Sequence, residues 1–443
     1  MTTHSSLHAA PPHSAAGQRT DADIVVVGAG IVGVACALEL SRLGRKVLVI
    51  DREAPGMGAS FGNAGHMATE QVFPVADASM LWRIPRMLVD STGPLRLDWR
   101  YLPKAAPWLM RLMWNMRAGP TRQATAGLSA LNEASLTAWQ ELLGDIGQTG
   151  LLKAEGSLLV HERADSSDAL AGIAKRMQAQ GVPVERFPRE QVLERAPELT
   201  EAIQGALFFP DTGHVTDPYR LVSVLVRAAE QHGARFVQAE VEGGRVSDDG
   251  VRLETSTGVI TASQVLVACG AHSAPLVEAL SEVRVPLDTE RGYHLMLPNE
   301  SNRLPMAVTS LERSFIMTPM DQGLRLAGTV EFAGLKRPAN MGRAWQLERL
   351  AQGMFRRPLN SEGATPWMGF RPSLPDSLPV IDRVGPGKRL WLAFGHHHLG
   401  LTQAAITARL IGSFLHEEDT PSVATTTPTS LPSLEPYRLA RFA

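Results

Sequence analysis

Cysteine is scarce in this chain. Only Cys36 and Cys269 occur, far apart and without metal-ligand spacing. That argues against a disulfide framework and against a bound metal, and it points to a reducing, cytoplasmic compartment. Both lie in predicted core elements and read as inert buried thiols. An excess of one charge is also missing. The formal net charge is −2, so no polyanion, and hence no nucleic acid, is expected as a partner. Long apolar runs are lacking as well. The stretch from Ile24 to Leu38 is closed by Glu39 and Arg42, short of the ~20 residues that a bilayer span needs. Residues 1–21 have no apolar core of the secretory kind. They are small, polar and Pro-containing and read as a disordered tail, with His4, His8 and His13 as solvated residues rather than metal ligands. What remains is ordinary globular usage, 44% apolar and 20% charged over 443 residues, with room for two domains.

The first organised segment is DIVVVGAGIVGVACALELSRLGRKVLVID, residues 23–51. Ile24–Val27 is a β-branched block suited to a strand buried on both faces. Gly28, Gly30 and Gly33 form G-x-G-x-x-G. A helical segment follows to Leu43, and Arg45–Ile50 is a second strand ending at Asp51. This is a complete βαβ unit with an acid about 20 residues after the glycines, the context in which the motif signals a dinucleotide. Gly28 permits the tight turn, Gly30 lets backbone approach a pyrophosphate, and Gly33 lets helix pack on strand. The helix N-terminus offers free N–H groups and the positive end of its dipole. Asp51 is placed to accept hydrogen bonds from a ribose.

After Asp51 comes a glycine-rich loop, REAPGMGASFGNAGHM, of the long kind that is often functional. Residues 77–145 read mostly as helices. Within them WRYLPKAAPWLMRLMWNMRAG (99–119) concentrates Trp, Met, Leu and Arg. It reads either as an amphipathic segment in peripheral contact with a membrane surface or as a helix packed on its neighbours. Asp217-Pro218 opens an amphipathic helix to Gln231 with the acid as cap. Strands are expected at 157–161, 288–298, 313–320 and 323–332, the last three as an antiparallel sheet with one wet face. KRLWLAFG is a last buried strand before a long helix. The fold class expected is α/β. A Rossmann-type nucleotide domain is assembled from 22–90, 213–282 and 364–418. An α+β domain with an antiparallel sheet takes 91–212 and 283–363, and 419–443 forms a C-terminal arm.

Four motifs in this order resemble the FAD-dependent D-amino-acid oxidase and dehydrogenase family, with its glycine and sarcosine oxidases. They are VVVGAGIVG with Asp51, GASFGNAG (58–65), GFRPSLPDSLPVI (369–381) and FGHHHLGLT (394–402). The S-F-x-N-A-G loop is most similar to the bacterial D-amino-acid dehydrogenase branch. The resemblance covers about Asp23 to His416. It implies FAD and oxidative deamination of a small amino acid. A hydride passes from the α-carbon to flavin N5, and the imine formed hydrolyses to a 2-oxo acid and ammonia. Quinone, another acceptor or oxygen takes the electrons. A secondary-amine substrate, such as a hydroxyproline or an N-methyl amino acid, and a non-catalytic flavin-binding role stay open beside this.

The resemblance also implies residue roles. Gly28, Gly30, Ile31, Val32, Gly33, Asp51 and Arg52 would hold the nucleotide, with Val241 and Gly270 at the adenine end and phosphates. Ser60, Asn63, Ala64 and Gly65 would wrap the flavin. Asparagine at 63, near where one branch carries a histidine-linked flavin, implies non-covalent FAD. Leu399, Gly400, Leu401 and Thr402 would present N–H groups to the flavin from the last helix. Arg371 matches the arginine that pairs with the substrate carboxylate, a task suited to a planar two-pronged donor. Tyr293 matches a tyrosine at the carboxylate or over the pocket, with Arg291 and His294 expected on the opposite strand face. His66 would sit over the ring or bond its own loop. His397 and His398 stand where glycine or a small residue is usual. They would narrow the pocket, put a titrating group by the amine, or turn into the domain interface.

Overall fold

The computed structural model describes residues 18–19, 22–75, 95–419 and 431–442. The expected tail, apart from Gln18–Arg19, lies outside these residues, as do the helices expected within 77–94. Gln18–Arg19 pairs in parallel with Ile260 and Thr261, so that part of the tail is an edge strand rather than disordered.

The chain is centred on a six-stranded sheet. Its order is Arg235–Gln238, Val47–Asp51, Ile24–Val27, Gln264–Val267, Leu390–Phe394 and Val380–Val384. The first five are mutually parallel and the last is antiparallel. The β-branched block is buried on both faces, as its composition requires. Ile24 and Val26 join the core formed with helices Ile31–Arg42, Ala118–Asp145, Pro218–Gln231 and Gly400–Asp419. Val25 and Val27 face the other way, toward the meander Val241–Ser247, Gly250–Thr255 and Gly258–Ala262 and helix Ser273–Ser281. The segment ARFVQAEVEGG contributes to two strands. Arg235–Gln238 ends the parallel sheet and Val241–Ser247 begins the meander.

A nine-stranded mixed sheet forms the second layer system. Thr365–Ser373 pairs with Asp288–Leu297, which pairs with Gly323–Phe332 and so on to Glu185–Pro188. Three expectations change. No wet face runs along Asp288–Leu297, because every residue after Asp288 is buried; helices and the loops from the parallel sheet cover both sides. The strand bearing Arg371, expected in the nucleotide domain, is instead an edge of this larger sheet. The long helix Ala118–Asp145, expected in the second domain, packs into the nucleotide core through Leu128, Leu131, Ala138 and Trp139. The fully buried Trp139 donates Nε1–H to the carbonyls of Leu401 and Thr402. It thereby anchors the start of the final helix, and losing such an indole typically costs about 3–5 kcal/mol. The described part of the C-terminal arm also packs inward, with Tyr437 buried and bonded to the Gly127 carbonyl.

Candidate active site

The cradle at the C-terminal ends of the parallel strands is built from glycine. Gly28 has φ +110, and a methyl there would meet the Ala268 carbonyl at 2.4 Å. One on Gly33 would sit 1.9 Å from the Gly28 carbonyl oxygen. At Gly30 the nearest atom is Ser60 Oγ at 3.4 Å, so this side is open. Helix Ile31–Arg42 has neither a side-chain cap nor an acid in its first turn, which leaves Val32 and Gly33 at an N-terminus free for an anion. The chain therefore has the shape and the polarity that a dinucleotide pyrophosphate requires. Asp51 accepts from Ala29 N–H at 2.7 Å and Glu53 N–H at 3.0 Å. Arg52 meets His272 at 3.0 Å. Gly270, at φ +54 with open space beside it, and the half-buried Val241 lie on the same end of the sheet.

The second glycine loop is tied down residue by residue. Ser60 Oγ accepts from Ile31 N–H at 2.9 Å, joining this loop to the first helix. Asn63 donates to the Ser60 carbonyl and accepts from Gly65 N–H. The Asn63 carbonyl receives Arg325 at 2.6 Å. Ala64 is half-buried, and Gly65 has φ +70 with Val215 N–H bonded to its carbonyl at 2.7 Å. His66 bonds its own fold: Nδ1 meets the Gly213 carbonyl and Nε2 meets Glu70, at 3.1 and 3.0 Å. Burial pulls its pKa down, but Glu70 and that carbonyl outweigh it and raise it. From the last helix, Thr402 Oγ1 accepts from Ala68 N–H at 3.0 Å. Leu399 and Leu401 are buried and Gly400 is half-buried, so the helix start abuts the loop.

Arg371 points from the edge strand onto Gly292. A methyl on Gly292 would lie 2.5 Å from Nη2 and 2.7 Å from Nε. Burial lowers the guanidinium pKa and the neighbouring Glu290 carboxylate opposes that. Among the described residues the Arg371 side chain has no hydrogen-bond partner, which leaves its donors available. Glu290 is Arg371's partner in register. Burial would raise its pKa, but His397, Arg371 and Ser373 bring it down to about 2. Ser373 donates to it at 2.8 Å, and His397 Nδ1 stands 3.8 Å away.

The three histidines part company. His396 bonds Thr407. His397 adopts φ +52, consistent with the glycine usual there, and turns inward to the Leu374 backbone. His398 is exposed, with Nε2 against Gln71 Oε1. Loss of water from around the ring, then Arg371 and His397, lower its pKa to about 3, which places it close to Arg371.

Tyr293 lies elsewhere. It is fully buried, donates to Glu331 at 2.6 Å and accepts from Asn340 N–H. Arg291 approaches the same Glu331 at 3.7 Å, so it shares Tyr293's face, contrary to expectation. Residues two apart on a strand point the same way. The opposite face carries Glu290, Gly292 and His294, aligned with Arg371, Gly369 and Trp367. None of these except Arg371 was singled out as a site residue, because only strand register brings them together.

The family model described as FAD dependent oxidoreductase matches residues 23–413. A D-amino-acid oxidase of Bradyrhizobium diazoefficiens is 33% identical over 88% of this chain and 94% of its own. A D-amino acid dehydrogenase of Cereibacter sphaeroides is 31% identical over 88% of this chain and 91% of its own. In fold the chain is similar to glycine oxidase from Geobacillus kaustophilus, with TM-score 0.69 and 22% identity over 94% of this chain and 98% of that one. The same holds for L-proline dehydrogenase from P. horikoshii, with TM-score 0.66 and 18% identity over 95% of this chain and 98% of that one. With its glycine cradle and this match over most of its length, the chain belongs to the FAD dependent oxidoreductase family and has FAD as its cofactor.

Proposed function

We propose that this chain oxidatively deaminates D-amino acids, and that FAD is held non-covalently. One observation carries the reading: a desolvated Arg371 with its donors free, set close to His398. Bound FAD supplies the two-electron acceptor. Arg371 takes the substrate carboxylate with two parallel charge-assisted hydrogen bonds. Gly292 gives the guanidinium room to lie against the sheet. The His398 main-chain carbonyl accepts the amine, and the unprotonated ring beside it tolerates the amine's approach. The substrate loses two electrons and two protons to become an imine, and water converts the imine to a 2-oxo acid and ammonia. Catalysis here rests on orientation in a preorganised polar setting rather than on a strong base. The names of the two relatives, a D-amino-acid oxidase and a D-amino acid dehydrogenase, support the D-configuration.

Removing one partner of such a pair typically costs about 2–5 kcal/mol. Arg371→Lys keeps a charge but loses the planar fork. We expect it to raise KM for a D-amino acid by more than about tenfold while flavin content is retained. An unchanged KM sinks the assignment.

The electron acceptor is read as a quinone at the membrane surface, with the chain in peripheral contact on the cytoplasmic side. Helix Leu102–Asn115 supports this. It buries Ala105 and Trp108, yet Met110, Met113 and Trp114, with Trp99 before it, are over half exposed. Arg100, Lys104, Arg111 and Arg117 lie among them with no acid between 99 and 117, a composition that complements anionic lipid. Among the described residues no helix is long and apolar enough to cross a membrane. The protein is expected to co-sediment with phosphatidylglycerol vesicles, and the double variant Met110→Ser, Trp114→Ser to stay in solution. Turnover with a quinone analogue is expected to exceed turnover with oxygen alone. A wild-type protein that ignores vesicles, or that turns over fully on oxygen, refutes this reading.

A further inference from the structure

The two strands that meet beneath the carboxylate site carry glycine opposite glycine. Gly292 pairs with Gly369, flanked by Glu290 with Arg371 on one side and His294 with Trp367 on the other. All six positions share one face of the sheet. A methyl on Gly369 would lie 2.1 Å from the tip of the Trp367 indole, as one on Gly292 would lie 2.5 Å from Arg371. Both long side chains therefore lie down over the glycine pair from opposite ends. Cross-strand partners stand about 5 Å apart, so the guanidinium and the indole are neighbours on one floor.

The indole is held in place. A methyl on Gly62 would meet its Cδ2 at 2.3 Å, which sets the ring against the flavin loop. His294 stacks on it at 5.0 Å and 19°, and His294 Nδ1 is fixed by the Gly62 carbonyl at 2.7 Å. Burial and then Arg325 push the pKa of that imidazole down, and Arg325 itself is buried and bonded to the Asn63 carbonyl. Trp367 itself is only half-buried, which leaves part of a clamped aromatic surface open beside the carboxylate grip. At the near end stands the buried Glu290 carboxylate.

We propose that Trp367 determines side-chain specificity at this site, selecting amino acids with flat apolar or aromatic side chains and disfavouring those with a second carboxylate. The inference rests on the deamination reading above. A carboxylate on Arg371 has the indole as its adjacent apolar surface, and ring-on-ring contact there adds to burial. A second carboxylate on the side chain would have to give up water against the indole, and the Arg325 cation near this end is buried and already bonded to the Asn63 carbonyl.

The test uses the FAD-loaded enzyme with D-phenylalanine, D-alanine and D-aspartate. Wild type is expected to prefer D-phenylalanine and to use D-aspartate least. Trp367→Ala is expected to cut kcat/KM for D-phenylalanine by about tenfold or more and to change that for D-alanine by less than about threefold. If the alanine variant loses FAD, Trp367→Leu, which fills volume without an aromatic face, is read by the same ratio. A D-phenylalanine to D-alanine ratio unchanged from wild type overturns the inference while leaving deamination intact. So does a wild type that favours D-aspartate. A wild type that bleaches with none of the three overturns the deamination reading and this inference with it.

Discussion

At the scale of single residues, positions that matched the same family have parted in their contacts. Arg371 and Tyr293 both matched family positions, yet among the described residues Arg371 keeps its side-chain donors free and Tyr293 does not. Tyr293 is one strand position off, and its hydroxyl is committed to Glu331. Tyr293→Phe should therefore leave KM within about twofold and lower stability by about 1–3 kcal/mol, the cost of a buried acceptor left without its donor. Thermal unfolding and steady-state kinetics on one preparation check this, and a large KM change with unaltered melting would restore Tyr293 to the site. His66 shows the same commitment, since both its nitrogens bond the surrounding fold. Residue type alone identified which side chains were able to act. It did not say which were free to do so, because freedom is the absence of a nearer partner. The same limit hid Glu290 and Trp367, whose significance is their alignment with Arg371.

Among elements, the glycine loop and its helix were legible from sequence in full. The βαβ unit is local, and each glycine answers to a contact within it or just beneath it. Gly33→Ala would place a methyl 1.9 Å from the Gly28 carbonyl oxygen, forcing helix and strand apart where a pyrophosphate would bind. We predict that this variant purifies with less than about a tenth of the wild-type flavin, since a clash with backbone has no flexible side chain to yield. Flavin absorbance per chain measures it, and full occupancy would refute it. The helix at 102–115 was legible in part. Its amphipathic composition left both a packed and a surface reading, and the structure shows a buried face around Trp108 and an exposed one around Trp114.

For the molecule as a whole, buried histidines couple the fold to pH. Burial holds His214 near 4, and His294 and His396 near 3. The unfolded chain binds protons at these three groups from about pH 6.5 downward, while the native chain does not until near pH 4 or below. Their contribution to stability is thus present above about 6.5 and lost as pH falls toward those native values. His66, raised by Glu70, has the opposite sign, and one such group does not offset three. Urea midpoints should fall steadily from pH 7 to 5, and a midpoint that rises over this range contradicts the assignment.

The sequence by itself determined the nucleotide cradle, the order of the main strands and helices and which arginine is the candidate for the carboxylate. These depend on glycine spacing, hydrophobic period and motifs a few residues long. Tertiary structure decided that Arg371's strand pairs into the larger sheet, that Ala118–Asp145 joins the nucleotide core, and that Gly292, Gly369 and Trp367 share a floor with Arg371. The helix is a matter of packing between distant segments; the other two are matters of strand register between segments some eighty residues apart. A slip of one residue in that register would turn every one of these side chains to the opposite face.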